Sequence, residues 1–177
     1  EKMSKSLGNF FTVKELLARF DGEGLRLFLL GTHYRNPVGF SDGLVEEAER
    51  RLAYLYETVD KAERAAAGAP PAAAPSAWLE PARQALDDDF NTAAVLGILA
   101  DAFAQANALA DRKGRTSPEE RGALAAFARD ARLVGDELGL LQRPPADALL
   151  ALRAKAASRR GVDPVLVERK IAERTEA

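Results

Sequence analysis

Cysteine is absent from the 177 residues, and histidine, methionine and tryptophan occur once each. No disulfide can form within the chain, a Cys/His zinc site within it is excluded or nearly so, and the composition fits a reducing cytosol. Aromatic residues make up only 7%, and β-branched runs are missing while alanine abounds, which favours an all-α answer. Charge of one sign is also lacking: 25 Lys and Arg face 27 Asp and Glu, a net charge of −2. Overall basicity therefore gives no argument for nucleic acid, although a local basic patch can still bind it. No apolar run approaches a membrane span and no signal peptide opens the chain, so a cytoplasmic location without a membrane partner is expected. What is present, 47% hydrophobic residues, suffices for one sizeable core or two small ones. Residue 1 is Glu, and the chain reads as an excised piece of a longer protein.

The first ten residues, Glu1-Lys2-Met3-Ser4-Lys5-Ser6-Leu7-Gly8-Asn9-Phe10, interleave two lysines with two serines before a glycine and an asparagine. Such an order suits a phosphate-handling loop. Ammonium groups neutralise charge building on a phosphoryl group, and hydroxyls and backbone N–H groups donate to it. Gly8 supplies backbone freedom, and Asn9 tolerates the left-handed conformation. One ammonium about 4 Å from a phosphate oxygen is worth on the order of 4 kcal/mol at an effective dielectric of 20. A solvated Lys/Ser tail is the plainer alternative.

Further along, Thr12 and Glu15 are spaced as a capping box, predicting a helix over 13–20 with Leu16, Leu17 and Phe20 on its buried face. Asp21 is placed to cap a second helix burying Leu25, Phe28 and Leu29 and ending near Gly31, with Arg26 on its far side. His33-Tyr34-Arg35-Asn36-Pro37 is a loop. With no carboxylate in its neighbourhood of sequence, His33 is expected to be structural rather than an acid or base. From 41 or 42 to about 67 a long helix is expected, buried along Leu44, Ala48, Leu52, Leu55, Val59 and Ala62. Tyr54 and Tyr56 flank that seam, and Glu46, Glu47, Glu49, Arg50 and Arg51 form its solvated face. Residues 68–77, rich in Pro and Ala, make a linker or surface loop. Trp78, Leu79 and Pro81 open another helix.

Asp87-Asp88-Asp89 invites a metal, but consecutive side chains diverge, and carboxylates near the next helix start are the better reading, with Asn91 or Thr92 the cap and Phe90 buried at the corner. No metal ligands are assigned. A helix over about 93–111 buries Val95, Leu99, Ala102, Phe103 and Ala106. Arg112-Lys113-Gly114-Arg115 is a basic loop able to touch RNA backbone, or simply solvated. Ser117-Pro118-Glu119-Glu120 starts a helix through Leu124, Phe127, Ala131, Val134 and Leu138, stopped by Gly139, after which Leu140 and Leu141 tuck back. Residues 146–177 read as two charged helical segments divided at Gly161 and Asp163-Pro164.

Lys2-Met3-Ser4-Lys5-Ser6 resembles, without a substitution, the second ATP loop of the class I aminoacyl-tRNA synthetases. His33-Tyr34-Arg35 with Phe40-Ser41, and the stretch 86–92, resemble segments of the cysteinyl-tRNA synthetases in particular. The resemblance implies an all-α chain: an antiparallel helical bundle preceded by the short helical tail of a class I catalytic domain. Its parts would be the end of the catalytic domain (1–42), a tRNA-binding DALR-like bundle (43–143) and the start of an anticodon-binding region (144–177). It implies ATP, with Mg2+, as substrate, bound by Lys2, Met3, Ser4, Lys5 and Ser6, with Lys5 and then Lys2 acting on the phosphates. Cysteine and tRNA(Cys) are the implied partners, with tRNA contacts at Arg35, Arg112, Lys113 and Arg115. Zn2+ is implied only for a missing N-terminal part. A monomer without DNA is expected, and this portion alone is expected to catalyse nothing. Two alternatives stay open: the cysteine:amino-sugar ligase of mycothiol synthesis, and a non-catalytic RNA-binding module.

Overall fold

The computed structural model describes residues 11–70, 74–112 and 116–175; the Lys2–Ser6 motif, Lys113 and Arg115 lie outside them. Among the described residues the chain is all-α, with no strand: α1 (Val13–Arg19), α2 (Gly22–Leu30), α3 (Asp42–Ala65), α4 (Leu79–Asp87), α5 (Thr92–Ala110), α6 (Pro118–Leu138), α7 (Pro145–Arg159) and α8 (Pro164–Thr175).

Helix α3 is the axis, packing against α2, α5, α6 and α7. Ser41 caps it by accepting from the Leu44 N–H at 3.3 Å. Side-chain pairs fix the directions. Arg51 donates to the Leu96 carbonyl and Lys61 to Asn107, so α3 and α5 run the same way. Arg132 meets Glu63 while Arg143, just past α6, meets Tyr56, so α6 runs opposite to α3. Helix α4 returns the chain between α3 and α5, which makes α3 to α6 an up-down-up-down bundle. One continuous core fills it, from Leu52, Leu55 and Val59 through Val95, Leu99 and Phe103 to Leu124, Phe127 and Val134. Phe127 sits edge-on to Phe103, with ring centroids 4.8 Å apart, and Trp78 closes the same cluster. Each such side chain contributes roughly 1.5–3 kcal/mol by leaving water.

Local signals explain the ends of the helices. Capping boxes form at Thr12/Glu15 and Ser117/Glu120, and Pro118 occupies the first turn of α6. Gly139 ends α6 at φ +65°, a left-handed conformation that a residue with a Cβ resists, and Leu140 and Leu141 then turn back into the core.

Several expected positions differ. Leu17, Leu29 and Leu44 are exposed, while Leu27 and Val45 take the buried places beside them. Helix α1, which carries Leu17, buries none of its residues; α2 buries Gly24, Leu25 and Leu27; and in α3 Val45 replaces Leu44 while Ala48, Leu52, Leu55, Val59 and Ala62 are buried as expected. Tyr56 is wholly buried rather than flanking the seam, and Glu49 is buried rather than solvated. Phe90 is 72% exposed instead of buried. Helix α5, at 19 residues, is long and apolar enough to cross a membrane by length and composition, contrary to the expectation that no run approaches that length. In the fold its Val95, Leu96, Leu99, Ala102, Phe103 and Ala106 are buried in the bundle.

Candidate functional site

Two features link α1, α2 and the loop that follows them to the bundle. The first is a corner where the 33–35 loop meets the turn between α4 and α5. Asp89 and Phe90 both hold left-handed backbone, at φ +58° and +51°, a conformation that costs ordinary residues about 1–2 kcal/mol each. The N–H groups of Phe90 and Asn91 close the end of α4, that of Phe90 on the Leu86 carbonyl and that of Asn91 on the Ala85 carbonyl. Asn91 then caps α5, accepting from Ala94 N–H at 3.0 Å.

This turn throws Phe90 outward and points Asp89 at the loop. Arg35 donates to the Asp89 carboxylate through Nε at 2.6 Å and Nη2 at 2.9 Å, and the Tyr34 hydroxyl donates at 2.6 Å. His33 Nε2 lies 3.8 Å from the same carboxylate. The Arg35 hydrogen bond, with that of Tyr34, holds the Asp89 carboxyl well below its ordinary range. Thr92 adds a bond to the Leu30 carbonyl at 2.9 Å, tying α5 to the end of α2. The histidine thus does have a carboxylate neighbour, from the middle aspartate stretch more than fifty positions on. Of the described residues expected to touch RNA, Arg35 is engaged by Asp89 and Arg112 by Glu120.

The second feature is a joint built from charges brought together over long sequence separations. Asp21, read from sequence only as a cap, accepts from Glu23 and Gly24 N–H groups and also receives both terminal nitrogens of Arg143, at 2.9 and 3.0 Å. Arg143 also reaches Glu23 at 3.3 Å, and its backbone N–H donates to the Tyr56 hydroxyl, which in turn donates to Glu23 at 2.6 Å. Burial and the Glu23 bond push the Tyr56 phenol up to about 12. Burial works against the Arg143 charge, but the Asp21 and Tyr56 bonds outweigh it and raise its pKa further.

Beside this knot, Glu49 accepts the Asp21 N–H at 2.7 Å and pairs with Arg159, whose guanidinium stacks 4.6 Å over the buried Phe20 ring. Gly24 makes the close approach possible: a Cβ there would fall 2.6 Å from Glu49 Cγ. Sequence gave little signal for Arg143, Arg159 or Lys155, since each looks like an ordinary surface cation until the fold supplies its partner.

Residues 1–50 match the family described as tRNA synthetases class I (C) catalytic domain, and residues 82–142 match the DALR domain. Over all 177 residues the chain is 68% identical to a cysteine–tRNA ligase of Anaeromyxobacter sp. (strain K), covering 37% of that protein. It is 43% identical to the cysteine–tRNA ligase of Geobacter metallireducens, covering 38% of it, and 39% identical to that of Trichlorobacter lovleyi, covering 39%. Along its whole length the chain is similar to cysteine–tRNA ligases. It spans between a third and two fifths of the length of these curated relatives.

Among the described residues the zinc ion implied by the resemblance finds no donor set. There is no cysteine, the one histidine faces Asp89 and Tyr34, and among the described residues no group of three metal-ligating side chains converges.

Proposed function

We propose that the chain is the C-terminal portion of a cysteine–tRNA ligase, which activates cysteine with ATP and Mg2+, releases pyrophosphate and transfers the cysteinyl group to tRNA(Cys). The observation that supports this best is 68% identity to a named ligase along the whole chain, together with an unaltered Lys2-Met3-Ser4-Lys5-Ser6 motif. In this reading Lys5, and secondarily Lys2, neutralise charge on the phosphates as the bond to the α-phosphate is exchanged, while Met3, Ser4 and Ser6 complete the ATP loop. No general base is required, because positioning and charge stabilisation supply the rate.

Residues 1–42 form the end of the catalytic domain, 43–143 a tRNA-holding bundle and 144–177 the start of the anticodon-binding region. Arg35, Arg112, Lys113 and Arg115 are the proposed RNA contacts. Arg35 and Arg112 would then exchange a carboxylate partner for a phosphate, so their gain on binding is smaller than that of a free cation. Zinc belongs to the remainder of the protein, and no step is assigned to it here. The protein is proposed to be a cytoplasmic monomer with no DNA or membrane partner, and residues 1–177 alone to be inactive.

The test uses the full-length protein with labelled cysteine, ATP, and both tRNA and an amino-sugar acceptor. Label on tRNA supports the proposal, whereas label on the sugar or on neither acceptor overturns it. Lys5→Ala should abolish cysteine-dependent ATP–pyrophosphate exchange, and intact exchange would contradict the site assignment.

A further inference from the structure

Helix α1 is unusual in having no buried residue of its own, and its seven residues are too few to be stable alone. Its last four carbonyls have no partner within the helix, as at any helix end. One of them, on Leu16, accepts the Phe20 N–H at 2.7 Å. The other three are met from α7, nearly 140 positions away. Lys155 Nζ donates to the Leu17 carbonyl at 3.0 Å and to that of Ala18 at 2.9 Å. Arg159 donates through Nη1 to the Arg19 carbonyl at 2.8 Å, while its other nitrogens face Glu49 and Glu46. Two cations thus stand at the negative end of the helix dipole and satisfy its orphan acceptors. Helix α7 is itself fixed to α3 through the buried Ala148 and Leu152.

We infer that Lys155 and Arg159 are positioning residues for amino-acid activation: a side-chain clamp from α7 sets where α1 sits, and α1 is the first helix after the Lys2–Ser6 motif in the chain. The inference rests on the ATP-loop reading above. It also makes α7 a physical link between the region downstream of the bundle and the activation site. Loss of the clamp should leave cysteine affinity intact and slow the step that the loop assists.

Three variants of the full-length protein test this: Lys155→Gln, Arg159→Gln and Lys155→Arg. In ATP–pyrophosphate exchange, the two Gln variants should lower kcat by about 10-fold with the KM for cysteine unchanged, and Lys155→Arg should return to within about twofold of wild type. Unaltered kcat in both Gln variants, or failure of Lys155→Arg to rescue, would overturn the positioning role. Amide exchange gives a readout independent of the reaction. Amides of α1 should exchange roughly 10-fold faster in Lys155→Gln relative to those of α6, and recover in Lys155→Arg. Unchanged α1 exchange would overturn the clamp itself. Wild-type protein without cysteine-dependent exchange would instead refute the ligase reading, and the α1 exchange result would then decide the clamp alone.

Discussion

The bundle interior and the joint that fastens α1 and α2 to it are built on opposite physical plans. Inside the bundle, α3, α5 and α6 bury aliphatic and aromatic side chains in one continuous cluster. At the joint, a smaller buried apolar group of Phe20, Leu25 and Val45, with Leu16, Phe28 and Phe40 packed against it, is framed by charge-assisted contacts: Arg143 on Asp21 and Glu23, Arg159 on Glu49, Lys155 on the α1 carbonyls. Apolar packing is non-directional and tolerates small shifts, while charge-assisted hydrogen bonds fix angle and distance. A bundle needs cohesion, and a junction between short helices and that bundle needs a defined orientation. The two plans match those needs.

The largest effect expected from breaking this comparison lies in the core. Phe103→Ala removes a wholly buried ring from contact with Phe127 and should cost about 3–5 kcal/mol in chemical denaturation. At the joint, Arg143→Met strands Asp21 and Glu23, both largely buried, and should cost about 2–3 kcal/mol by the same measurement. Next comes Tyr56→Phe, which deletes the bond to Glu23 for about 1 kcal/mol. Because the Tyr56 pKa is raised from 10.0 to about 12, its contribution is complete below pH 10 and is lost as pH rises to about 12. Absorbance titration should therefore lose its highest tyrosine step in this variant.

The smallest effect is expected at the Asp89 corner, which is open to solvent. Its carboxyl titrates below the ordinary value of 3.8, so the Arg35 and Tyr34 bonds contribute above that pH and are lost on acidification. Asp89→Asn should lower Tm slightly at pH 7 and flatten the acid limb of a Tm-against-pH profile. An unchanged acid limb would show that the corner adds nothing to stability.

The same contrast explains what was legible beforehand. Helix ends marked by local chemistry, such as Thr12/Glu15, Ser117-Pro118-Glu120 and Gly139, fall where the sequence places them, because the partners lie within a turn. The stripe of α5 is right at every named position for the same reason: its period is intrinsic to one helix. Long-range pairs are another matter. Nothing near Arg143 announces Asp21, and nothing near His33 announces Asp89. Tyr56 is expected beside the seam and Glu49 on the solvated face because a polar side chain on a charged helix belongs there until a buried partner arrives from elsewhere. Phe90 fails for a related reason, since a left-handed pair at 89–90 reverses the outlook that a hydrophobic residue suggests. The motif with the most chemical content, Lys2–Ser6, lies outside the described residues, and its reading as an ATP loop rests on resemblance.

The most direct test of the charged joint is a double-mutant cycle between Arg143→Met and Asp21→Asn, read by chemical denaturation. The account predicts a coupling of about 1.5–3 kcal/mol, because each single change leaves the other group buried without its partner. Additivity to within about 0.5 kcal/mol would mean that the two residues stabilise the fold independently, and that apolar packing holds the tail to the bundle after all.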